Sequence, residues 1–169
     1  AGTLATYGDA DDTYRFYDID SRVMRIAQDE FTYLGDSAAK IELALGDARL
    51  TLEREAPQGF DVLAVDAFSS DAIPVHLLTR EALGTYLRHV KPDGIVAFHV
   101  SNRFLDLGPV VARLAHENGA HAIGVYEKAS EGEDRTQSDW ILVSRDAGAL
   151  EHGEIVDAGA VEDRPQWRT

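Results

Sequence analysis

This sequence predicts a doubly wound α/β sheet, and three observations carry the prediction. Strand-like runs alternate with helical stretches as far as residue 145, the pattern of successive βαβ units. Runs such as Phe60–Val65 are almost continuously apolar, as expected of parallel strands covered on both faces. Gly, Pro and Asp punctuate the boundaries, and 169 residues suffice for one domain that buries about 70% of its unfolded surface. No linker divides the chain. We therefore expect one domain over residues 1–145 and a loosely structured polar tail, rich in Gly and Ala, over residues 146–169.

Residues 1–8 (AGTLATYG) read as a small-residue turn running into a short helical stretch, with no strand before it. A strand over residues 14–19 follows a turn at 8–12, and Asp20 is placed to cap a helix carrying Arg22, Val23, Ile26 and Ala27. An apolar strand over 41–45 closes on Gly46-Asp47, a short helix covers 48–55, and a turn at 57–59 leads into Phe60–Val65. The next helix is predicted over 76–90, stopped by Lys91-Pro92-Asp93-Gly94. A buried strand over 95–100, a helix over 107–117, a strand over 122–126, a polar loop over 130–138 and a strand over 140–144 complete the series.

Composition narrows the function classes. Apolar residues form 44% of the chain and charged ones 27%, which excludes wholesale disorder and fibrous repeats. Acidic residues outnumber basic ones by 30 to 16, a net charge of −14. That balance disfavours a nucleic-acid partner and accommodates a cationic ligand. With no cysteine, disulfide frameworks, thiolate zinc and thiol catalysis are excluded. No apolar run is long enough to span a bilayer, so no membrane contact is expected from this segment. The expected location is the cytoplasm, with the soluble part of a longer membrane-anchored protein as the other reading.

In an open α/β sheet the ligand sits beyond the carboxyl ends of the strands. Here those ends are repeatedly acidic: Asp18 and Asp20 close the first strand, Asp47 follows the second, Asp66 follows the third, and Asp71 lies five residues on. Asp is also a turn and cap former, and Asp20 reads as a cap rather than a ligand. Asp18 fits the acid that takes both ribose hydroxyls of a bound nucleoside, a feature that dehydrogenases share. His76 reads as the start of a helix and His99 as part of a buried strand. With no HExxH-like spacing, no metal is expected. Ser101-Asn102-Arg103 either lines a pocket or forms a capped turn, and Trp140 is assigned to the core. Asp9, Asp11 and Asp12 lack the later ligands of a calcium loop.

Four stretches then become informative together: Phe16-Tyr17-Asp18-Ile19-Asp20, Gly46-Asp47-Ala48-Arg49, Phe60-Asp61-Val62-Leu63-Ala64-Val65-Asp66 and Ser69-Ser70-Asp71-Ala72-Ile73-Pro74. In order and approximate spacing they resemble the spermidine synthase (polyamine aminopropyltransferase) family, and more closely its bacterial spermidine-synthase-like branch. The resemblance covers residues 2–145. It implies a Rossmann-like sheet of the S-adenosylmethionine-dependent methyltransferase type, in the order 3-2-1-4-5-7-6 with the last strand antiparallel. Within it, Gly2 and Thr3 belong to the end of the loop that holds the adenosyl ligand, Asp18 takes the ribose, and Asp47 with Ala48 takes the adenine. Asp66 becomes the catalytic carboxylate and Asp71 the amine ligand, with Ser69 and Ser70 orienting their loop. Two departures stand out. The Asp66 to Asp71 stretch is two residues longer than the family's usual one, and the acid of the Gly-rich loop has no counterpart. We also expect the family's first, central strand and a closing C-terminal element to be missing from this chain. The strand over 14–19 and Phe60–Val65 would then face a lane about 9–10 Å wide, two strand spacings.

The implied chemistry is demanding. Aminopropyl transfer needs a neutral amine, and an alkylammonium with a pKa of about 10.4 gives up its proton at pH 7 at a cost of roughly 4–5 kcal/mol. One carboxylate within reach accepts that proton and a second holds the distal ammonium of a diamine; Asp66 and Asp71 match this pair. The resemblance therefore implies transfer from decarboxylated S-adenosylmethionine to a diamine such as putrescine, without a metal. Assembly as a homodimer stays open. The alternatives are an S-adenosylmethionine-dependent methyltransferase with another acceptor and a non-catalytic adenosyl-binding domain.

Overall fold

In the computed structural model the described residues are 2–66, 74–101, 105–126, 138–153, 155 and 160–161. The chain divides into two units, Ala1–Arg54 and Glu55–Thr169, and each holds its own sheet.

The first unit opens on a 3-10 turn, Thr3–Tyr7. Gly2 ahead of it has φ 99°, and a Cβ there would stand 2.8 Å from Leu34 Cδ2 and 2.9 Å from Tyr33 Cε2. Both the conformation and the space demand glycine. β1 (Thr13–Asp18) and β2 (Lys40–Leu45) pair in parallel from Thr13↔Lys40 to Asp18↔Leu45. Between them runs α1 (Ser21–Asp29), which Asp20 caps by accepting the Arg22 N–H at 2.8 Å. After Gly46-Asp47 the chain enters α2 (Ala48–Arg54). Both strands start one residue earlier than the sequence pattern suggested.

In the second unit β3 (Phe60–Val65), β4 (Val90–His99), β5 (His121–Tyr126), β6 (Asp139–Ser144) and β7 (Ala160–Val161) form one sheet in the order β3-β4-β6-β5-β7. β3 and β4 are parallel, whereas β6 runs antiparallel to both β4 and β5, and β7 is antiparallel to β5. The insertion of β6 between β4 and β5 reproduces the 4-5-7-6 half of the implied order, and the β2-β1 pair is its 3-2 half. Within residues 146–169, α5 (Ala147–Leu150) precedes β7, and Asp146 caps it by accepting the Gly148 N–H at 2.9 Å.

Two boundaries differ from expectation. The helix predicted over 76–90 is instead a 3-10 turn, Val75–Leu77, followed by α3 (Arg80–His89). Thr79 is the reason: its backbone is extended, and its Oγ1 accepts the Ala82 N–H at 3.2 Å, which starts a new helix. β4 also begins at Val90 rather than at residue 95. Lys91-Pro92-Asp93-Gly94 bulges between the pairs Phe60↔Val90 and Val62↔Ile95 instead of ending the strand. Gly94 fits the bulge because a Cβ would stand 2.9 Å from both Phe60 O and Lys91 N.

α3 and α4 (Gly108–Glu117) pack on this sheet. Leu83, Tyr86 and Leu87 of α3 and Val111 and Ala115 of α4 are buried, as are Val96 and Phe98 of β4 and Ile141 and Val143 of β6. These alternate positions leave residues 97, 99, 140 and 142 on the opposite face. The buried Ser144 hydroxyl donates to Gly94 O at 2.9 Å, tying β6 to the bulge of β4. Among the described residues no helix is long and apolar enough to cross a membrane.

Candidate active site at the strand ends

Each unit brings acidic side chains to the carboxyl end of its strands. In the first unit the Gly46 N–H donates to Asp18 O at 2.9 Å, joining the end of β1 to the turn after β2. Asp18 and Asp47 therefore share one edge of the two-stranded sheet. The Asp18 carboxylate is steadied within its turn, Oδ1 accepting the Asp20 N–H at 2.8 Å. Asp47 Oδ1 accepts the Leu50 N–H at 2.9 Å and so caps α2, whose first residue is Ala48. Gly46, with φ 144°, makes the sharp entry to that cap. Both carboxylates are half-buried acceptors, the chemistry that ribose hydroxyls and an adenine amino group require. Gly2 is buried against Tyr33 and Leu34, and Thr3 is exposed, its carbonyl accepting the Thr6 hydroxyl at 2.8 Å.

In the second unit Asp66 directly follows β3, with its side chain 61% exposed. Its Oδ1 lies 2.9 Å from His99 Nδ1. The cause is register. Val65 pairs with Phe98 in the parallel ladder, so the next residues, Asp66 and His99, stand side by side. On the other flank His99 is directly opposite Trp140 of β6, and the two rings stack with centroids 4.8 Å apart at 27°. Trp140 in turn donates its indole N–H to Ser138 Oγ at 2.8 Å. Ser101 Oγ accepts the Asp139 N–H at 2.8 Å, and Val100 N–H donates to Asp139 O at 2.8 Å, closing the chain around this edge.

Two readings of the sequence are corrected here. His99 is not enclosed in its strand: its side chain is 26% exposed and faces Asp66. Trp140 is only half-buried and serves as a platform for the imidazole rather than as core. The sequence runs alone do not give the pair: aligned end to end, 60–65 and 95–100 set Asp66 beside Ser101, and only the observed register Val65↔Phe98 brings it to His99. Ser69, Ser70 and Asp71, together with Asn102 and Arg103, lie outside the described residues.

No protein-family model and no curated protein sequence matches this chain. Solved structures do. The spermidine synthase of Thermotoga maritima superposes with a TM-score of 0.62 at 14% identity, over 83% of this chain and 47% of its own. This chain has the spermidine synthase fold. A probable spermidine synthase from Corynebacterium glutamicum gives a TM-score of 0.58 at 19% identity, over 87% of this chain and 55% of its own. A spermidine synthase in complex with the transition state analogue AdoDATO gives 0.57 at 15% identity, over 83% and 47%. The chain thus spans about half the length of these spermidine synthases. The resemblance read from the motifs is met at the level of the fold, including its mostly parallel α/β order.

Proposed function

We propose that this chain is the adenosyl-binding part of a spermidine-synthase-like aminopropyltransferase, moving an aminopropyl group from decarboxylated S-adenosylmethionine to a diamine such as putrescine. The observation that carries the reading is Asp66, an exposed carboxylate immediately beyond an apolar parallel strand, where this class of sheet binds its ligands. Asp18 and Asp47, joined through the Gly46 N–H, support an adenosyl ligand held at its ribose and adenine. A structural neighbour that binds AdoDATO supports a ligand of adenosyl type. Asp66 receives the attacking amine, Asp71 the distal ammonium, and Ser69 and Ser70 orient the loop between them. The co-substrate is consumed in the reaction, no metal takes part, and the partner is a small-molecule polyamine.

The two extra residues between Asp66 and Asp71 favour a second reading, methyl transfer from S-adenosylmethionine to a different acceptor. Incubation with decarboxylated S-adenosylmethionine and putrescine, in parallel with S-adenosylmethionine, separates the two. Aminopropylated product is expected, and Asp66→Asn should lower its rate about 10²–10⁴-fold while leaving nucleoside binding in place. Methyl transfer alone, or ligand binding without either product, rejects the first reading.

A further inference from the structure

The Asp66 carboxylate meets an imidazole whose orientation is defined on two sides. An ionised carboxylate offers only acceptors, so the 2.9 Å contact between Oδ1 and Nδ1 puts the ring proton on Nδ1. In the neutral ring Nε2 then carries the lone pair. Trp140 fixes the ring plane by stacking on it from the opposite strand, and Trp140 is itself held by Ser138. A ring with one nitrogen donated to a carboxylate, its plane fixed and its side chain still 26% exposed, has the arrangement of a general base.

We propose that His99 Nε2 takes the proton from the attacking amine, and that Asp66 holds the ring through Nδ1 and steadies the imidazolium that forms. This deepens the aminopropyl-transfer reading and rests on it, while moving the proton acceptor from Asp66 to His99. The N–H bond of the substrate ammonium breaks, its electron pair stays on nitrogen, and the proton bonds to Nε2. That pair attacks the carbon beside the sulfonium, the C–S bond breaks toward sulfur, and a neutral thioether leaves. The product is a secondary ammonium, and the imidazolium returns its proton to water. The chemistry favours imidazole over carboxylate: ordinary imidazoles lie about four pH units below an alkylammonium in proton affinity, ordinary carboxylates about six. Among the described residues, the charged side chains at this end of the flanking strands are Asp66 beyond β3 and Asp139 on β6.

Asp66→Asn loses turnover under either assignment, so the deciding variant is His99→Asn. Its amide nitrogen stands near the Nδ1 position and still donates to Asp66, but nothing replaces Nε2. His99→Asn should be as inactive as His99→Ala, about 10²–10⁴-fold below wild type, with adenosyl-ligand affinity retained. Recovery of wild-type turnover in His99→Asn overturns the proposal and leaves the ring a positioning role. A second measurement needs no turnover: nitrogen-15 NMR of the His99 ring should report Nδ1–H in the wild type and a shift toward Nε2–H in Asp66→Ala, which leaves Nδ1 without the carboxylate acceptor. A wild-type ring protonated on Nε2 overturns the His99 assignment by itself, whereas absence of aminopropyl product from the wild-type protein overturns the transfer reading.

Discussion

The carboxylates at the strand ends part company by what their oxygens hold. Asp20 is a structural cap: Arg22 approaches it through Nε at 3.0 and 3.1 Å and through Nη2 at 2.6 Å. That side-chain hydrogen bonding, aided by the Arg22 backbone N–H, lowers its pKa from 3.8 to about 2. A lowered folded-state value means that the stabilisation is fully present above pH 3.8 and is lost as the pH falls through about 2. Asp20→Asn should therefore flatten the acid limb of stability between these pH values, measured by urea unfolding at stepped pH; an unchanged slope rejects the pair's contribution. The effect is small because the pair is solvent-exposed. Asp20 was legible as a cap because everything it needs lies within two residues. The Asp66–His99 pair spans 33 positions and depends on the register of two strands, which neither residue's local sequence carries.

Whole elements were legible where their limits are local. Phe60–Val65 is bounded by Gly59 and Asp66, and its observed bounds coincide with the predicted ones. The start of β4 was not, because Lys91-Pro92-Asp93-Gly94 has the composition of a helix stop. Only pairing with β3 on either side of the bulge, where four residues stand opposite Asp61, keeps them within β4. Lys91 reinforces the bulge through an ion pair with Asp61 at 2.5 Å. The Thr79 cap is masked in the sequence for a related reason. The apolar period continues from Leu77 and Leu78 into Ala82 and Leu83, all buried, and hides the cap that splits the helix. Thr79→Ala should cost about 1 kcal/mol and lower Tm by about 2–4 °C, measured by thermal unfolding. An unchanged Tm would mean that Pro74 and the 3-10 turn alone break the helix.

At the scale of the molecule the question is where a net charge of −14 acts. The total was readable from composition; the gathering of Asp18 with Asp47, and of Asp66 with His99, arises from pairing within each sheet. Diffuse self-repulsion and a local cation site make different predictions. Screening length falls from about 30 Å at 0.01 M salt to about 8 Å at 0.15 M, so sodium chloride over that range should raise Tm by relieving repulsion among surface carboxylates. Putrescine at matched ionic strength should raise Tm further if it occupies a site in the folded state, by linkage of binding to folding. The increment belonging to the site should fall in Asp66→Asn, which leaves Asp71, while the sodium chloride response, which sums over the remaining acids, should persist. An increment from putrescine that survives Asp66→Asn undiminished would remove Asp66 from amine recognition.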